Sequence, residues 1–128
     1  MTRTTRHLRT VVLLGGTLAL ILGFIGSARA SDPASLEQLR VTRSCANCDL
    51  SDADLSGRVL AKADLSGANL SGAKLYKANL TNAKLTAANF FNCDLTGANL
   101  KGAVGVNLTG AKTDARTICP NGLAGPCQ

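Results

Sequence analysis

Five cysteines hold most of the reactive chemistry in this 128-residue chain: Cys45, Cys48, Cys93, Cys119 and Cys127. The first two make a C-x-x-C, a spacing used for haem attachment, zinc binding, thiol–disulfide exchange and local disulfides. Haem attachment requires a histidine directly after the second cysteine, and Asp49 stands there instead. Zinc needs two further ligands nearby, and redox exchange needs a βαβ surround that is absent. A local Cys45–Cys48 disulfide is the favoured reading. Cys119 and Cys127 bracket a turn-rich loop, CPNGLAGPC, which allows a tight closure and a second bridge. Cys93 is then the odd one, expected as a buried, space-filling thiol. The one histidine is His7, near the N-terminus. Beyond it no Cys–His or Ser–His pair can be drawn. Neither a catalytic set, a metal site nor a cofactor site is expected, and the protein reads as a non-enzyme.

His7 belongs to a segment with its own logic. Arg3, Arg6 and Arg9 form a positive n-region, Val11 to Ile25 is largely apolar, and Ala28-Arg29-Ala30 supplies small residues for cleavage before Ser31. Residues 1–30 are therefore expected to be a signal peptide. The alternative is an uncleaved anchor over residues 8–27, but the apolar run is short against the ~20 residues of a bilayer span. Four of the fourteen basic residues lie in this segment, so ten remain against eight acidic ones and the net charge falls from +6 to +2. That removes most of the support for a nucleic-acid or other polyanion partner. Five cysteines in a short exported chain suit an oxidising compartment, so a periplasmic or secreted location is expected.

From Cys48 the chain reads CDLSD ADLSG RVLAK ADLSG ANLSG AKLYK ANLTN AKLTA ANFFN CDLTG ANLKG, eleven five-residue blocks without a gap. The centre position is Leu50, Leu55, Leu60, Leu65, Leu70, Leu75, Leu80, Leu85, Phe90, Leu95 and Leu100. The first position is Ala except at Cys48, Arg58 and Cys93. A period of five matches neither the helical 3.6 nor the strand period of 2. Instead it gives one large and one small inward position per block.

These blocks resemble the pentapeptide-repeat family, whose pattern is A-(D/N)-L-x-x. The resemblance implies an all-β, right-handed, four-sided β-helix of about three coils, with one block per face and residues twenty apart stacked at the ~4.8 Å inter-strand spacing. Asp54, Lys74 and Asp94 should then form one vertical row and Asp64 and Lys84 another, alternating in sign. Arg58 falls in a lumen-facing slot and is expected to escape through the N-terminal end or sit in a local bulge. At residues 103–105 the register slips, the pattern resumes at VNLTG and AKTDA, and a bulge is the simplest account.

The β-helix is thus expected over 48–115. Before it, residues 31–47 should form a capping helix and a turn leading into the repeat. Asp32 and Pro33 supply start signals, Ser35 with Gln38 a weak capping box, and Leu36 and Leu39 one apolar face. The stretch from Thr42 to Leu50, T-x-x-C-x-x-C-D-L, resembles exported bacterial members of the family. Residues 116–128 should form the Cys-bracketed C-terminal cap.

Some cytoplasmic family members mimic DNA and bind type II topoisomerases, a role that needs a long, acidic rod inside the cell; export and charge argue against it here. A face for ice would need regular Thr ranks, which the outward positions lack. A small structural or protein-interaction module with an unidentified partner is the expectation that remains. Tyr76 and Phe91, both outward, are its candidate contact residues.

Overall fold

The computed structural model describes residues 31–127, so the expected signal peptide lies outside the described residues. The chain opens with one helix, α1 (Pro33–Thr42). Asp32 caps it, its carboxylate accepting the Ala34 and Ser35 N–H groups, and Pro33 occupies the first turn, where its missing donor costs nothing. Gln38 does not complete a capping box with Ser35; its amide donates to the Ser44 carbonyl at 3.0 Å. Arg43 ends the helix in the left-handed region (φ 54°), its N–H bonded to the Leu39 carbonyl.

Beyond the helix, no continuous strand forms among the described residues. Each block contributes one parallel bridge residue, and the bridges stack in four rows. One row runs Ser44, Asp64, Lys84, Val104; the others run Asp49, Asn69, Asn89; Asp54, Lys74, Asp94, Lys112; and Val59, Asn79, Asn99, Ile118. The rows enclose a narrow core. All eleven centre residues from Leu50 to Leu100 are 0–5% exposed, and the first-position alanines pack beside them.

One block shows how the main chain is satisfied. Ala68 N–H closes the turn to the Leu65 carbonyl, Asn69 N–H donates down to Cys48, and Leu70 and Gly72 N–H donate up to Asn89 and Phe91, at 2.9–3.1 Å. The fifth donor, Ser71 N–H, has no main-chain partner and goes to the Asn69 side-chain oxygen at 3.2 Å. This Asx turn explains why Asp or Asn recurs at the second position. Where Val59, Lys74 or Lys84 stands there, the corresponding N–H groups of Ala61, Tyr76 and Thr86 make no such bond among the described residues.

Each block ends on a residue of positive φ, as the third residue of a type II turn requires. At Gly72 crowding adds to the reason for glycine: a Cβ there would lie 2.1 Å from the Asp52 side-chain oxygen one level below. Ala87 takes it without help, at φ 58°.

The bridges extend beyond both ends of the uninterrupted repeat. Ser44 already pairs with Asp64, and Ile118 with Asn99. Arg58 causes no bulge, since its carbonyl still accepts Asn79 N–H at 2.9 Å while its side chain is exposed. The slip near 103–105 is likewise not a bulge. Val104 stays in the ladder with Ala83 and Leu85. After it the interval between bridged residues falls to eighteen, from Asp94 to Lys112, so the chain is two residues short where a bulge would add one. Gly105 permits the short corner, because any Cβ there would meet Thr86 at 2.3 Å. By Ile118 one residue has been regained, and Thr117 sits fully buried where other blocks carry Ala.

The same exchange should have opposite signs at two corners. Ala87→Gly relieves left-handed strain and should stabilise the protein by about 0.5–1 kcal/mol. Gly72→Ala adds strain and a clash and should cost more than about 1 kcal/mol. Denaturant midpoints of the two variants check both signs.

Candidate interaction surface

The polar side chains of the faces are engaged locally. The Asp54–Lys74–Asp94 and Asp64–Lys84 residues do align through parallel bridges. Among the described residues, however, the ion pairs are Arg40–Glu37 on α1 and Arg116–Asp114 near the C-terminal end. The aspartates look inward along their own chain instead. The Ser51, Ser56 and Ser66 hydroxyls, followed by the N–H groups of the same residues, hold Asp49, Asp54 and Asp64 below the usual carboxylate range, and Asp94, which accepts the Thr96 N–H at 3.0 Å, is lowered as well. Lysine charges contribute less than these turn hydrogen bonds. Desolvation opposes ionisation of Asp114, but bonds from Arg116, Gly97 and Thr117 outweigh it and hold this carboxyl lowest.

Both expected aromatic contacts lie on the outside, at different corners. Tyr76 is 37% exposed, with the Lys77 ammonium 5.0 Å from its ring centre. Arg116, held protonated first by Asp114, also feels the Tyr76 hydroxyl. Phe91 is 64% exposed and overhangs a trough of about 490 Å³ lined by Asp49, Ser51, Asp52, Ser71 and Asn92. Its ring packs against Gly110, where a Cβ would come within 2.7 Å. Tyr76 is therefore partly covered by cations, whereas Phe91 is the freer of the two.

The disulfides occupy the ends of the core. Cys45–Cys48 and Cys119–Cys127 are bonded, with Cα separations of 5.2 and 5.5 Å. Cys45 stands in the centre position of the level below Leu65, its N–H donating to the Asp64 carbonyl. Cys119 follows Ile118 into the position above Leu100. Cys93 is free and fully buried, and burial pushes its thiol to about 12, far from reactive. Among the described residues no cluster of three or more His, Cys, Asp or Glu side chains could hold a metal, and no helix is long and apolar enough to cross a membrane.

A four-sided stack of parallel bridges around a Leu and Ala core defines a small β-helical solenoid. The pentapeptide-repeat family model matches residues 48–86 and 83–112, with eight copies, and the chain belongs to this family. Its members fold as right-handed quadrilateral β-helices. No curated protein matches the chain. Among solved structures it is similar to HetL of the cyanobacterium Nostoc sp. strain PCC 7120, described as involved in heterocyst differentiation regulation. The identity is 34% over 63% of this chain and 42% of that one, with a TM-score of 0.46. A pentapeptide repeat protein from the cyanobacterium Cyanothece 51142 is 24% identical over 67% of this chain and 97% of its own, at a TM-score of 0.42. One from the Arabidopsis thaliana thylakoid lumen is 28% identical over 56% and 61%, at 0.32. The chain spans less than half the length of the Nostoc protein.

The depressed carboxyls set the response to acid. A group whose pKa is lowered by folding contributes stability above its unfolded value, near 3.9 for Asp, and loses it as pH falls through the folded value. Thermal stability should be flat from pH 7 to about 5 and fall below about 4. Asn makes the same turn bond without titrating, so Asp54→Asn/Asp64→Asn/Asp94→Asn should make the acid limb shallower, Asp49 and Asp114 carrying what remains. An unchanged limb would show that these turns do not set it.

Proposed function

We propose that this protein is exported and acts as a small, non-enzymatic interaction module, its rigid repeat presenting side chains at fixed spacing to a protein partner. The observation that carries the reading is the position of the disulfides. Each bridges from a centre position at one end of the core, a position that holds Leu or Phe in all eleven blocks from Leu50 to Leu100. Cross-links in such places last where thiols stay oxidised, which favours a periplasmic or secreted location. Phe91, with Tyr76 on the next corner, is the proposed contact: an exposed aromatic on a firm base is the usual form of a binding anchor.

Two measurements test the two halves of this reading. Fractionation of cells expressing the full chain should recover it in the periplasm or medium, beginning at Ser31 and with one titratable thiol after denaturation. Recovery with Met1 retained and five free thiols would contradict export. Captured partner from envelope or secreted fractions should be lost with a Tyr76→Ala/Phe91→Ala variant; undiminished capture would move the contact elsewhere.

A further inference from the structure

RVLAK (residues 58–62) is the one block of eleven that abandons the repeat at both of its first two positions. Arg58 stands where the core takes Ala, and Val59 where the turn takes Asp or Asn. One and two levels above, the same positions are Ala78-Asn79 and Ala98-Asn99, so the fold does not call for the change. Both residues line a groove of about 470 Å³ between α1 and the first level.

The floor of this groove is apolar. Leu36 of α1 and Leu55 both line it, and Val59 adds a side chain that is 61% exposed where a polar one is the rule. The rim is cationic, with Arg40, Arg43 and Arg58. Glu37 takes up Arg40 in an ion pair of 2.6 Å. Among the described residues, Arg43 and Arg58 make no ion pair. The remaining acid, Asp54, feels the Arg58 charge but spends an oxygen on Ser56 N–H at 3.1 Å. Two guanidinium groups without an acidic partner therefore stand beside exposed aliphatic surface, one on Arg58, which breaks the pattern together with Val59, and one on the helix C-cap, Arg43.

We propose that this groove binds a single-chain amphiphile with a carboxylate head, such as a free fatty acid. Its aliphatic body lies over Leu36, Leu55 and Val59, and its head meets Arg43 and Arg58. A guanidinium fork matches a carboxylate through two parallel N–H···O bonds. The volume lies in the range of a small-molecule site. An acidic peptide or a bilayer surface fits it less well. The proposal is independent of the Phe91 and Tyr76 surface.

Titration calorimetry of the purified, disulfide-bonded protein with decanoate below its micelle concentration tests this. Decanoate should bind saturably and one to one, and decanol at least about tenfold more weakly, the head-group contact being absent. The variant Arg58→Ala/Val59→Asn restores the repeat. It should keep or raise the thermal midpoint while losing decanoate affinity about tenfold or more. Absence of saturable binding, equal binding by the variant, or binding of a Glu-rich peptide or anionic phospholipid vesicles in place of decanoate would overturn the proposal.

Discussion

The structure depends on how little the core will admit. At each level and on each face there is room for one large aliphatic or aromatic side chain and one small one, and from Leu50 to Leu100 neither kind is more than 5% exposed apart from Arg58 and Cys48 at the first level. To return the chain to that core every five residues, each block must turn sharply, so the last residue of every block adopts a positive φ. Once turned, the block has five N–H groups to satisfy, and the levels above and below, with the turn itself, take four of them. The Asp or Asn of the second position takes the fifth. Leu, Ala, Gly and Asn are thus consequences of one geometric restriction, not separate preferences.

A repeat of this kind cannot finish itself, since each level leaves a row of unpaired donors and acceptors and an open core. At the N-terminal end α1 brings Leu39 and Leu36 over the first level, and the Cys45–Cys48 bridge fills the positions that Leu and Ala fill elsewhere. A loop so short removes little chain entropy, so this disulfide acts mainly as packing. At the C-terminal end the chain drops two residues at Gly105, regains one, and closes with Thr117 and Cys119 beneath the loop that returns to Cys127. Leu108 and Val106 are only partly buried there, as expected of the last covered level.

Much of this was legible because period, residue type and burial coincide: Leu at every fifth position can mean little else in a chain this regular. The helix start was legible from Asp32 and Pro33 for the same local reason. What the pattern concealed was any interaction made by a residue whose type has two readings. Asp54 and Lys74 read as a charge row, but Asp54 is held by the amide and hydroxyl two residues on, a bond available within its own block at no cost in side-chain reach. The slip at 103–105 read as an insertion, because three extra residues and two missing ones leave the same phase in a period of five. Thr117-Ile118-Cys119 escaped notice as a further block because it has neither Ala nor Leu, although Thr and Cys are of suitable size. The groove under α1 needed coordinates, since its two halves, residues 33–43 and residues 54–60, are separated in the chain by ten residues of turns.

The central claim is that inter-level main-chain bonds around the closed core hold the molecule as one unit. Native-state amide exchange tests it most directly. Leu70, Leu75 and Leu80 N–H donate to Asn89, Asp94 and Asn99 across levels and should exchange only through global unfolding, with one shared free energy equal to that from denaturation. Tyr76 N–H, in the same level but without such a bond, should exchange orders of magnitude faster. Exchange of Leu75 N–H as rapid as that of Tyr76 would contradict the account.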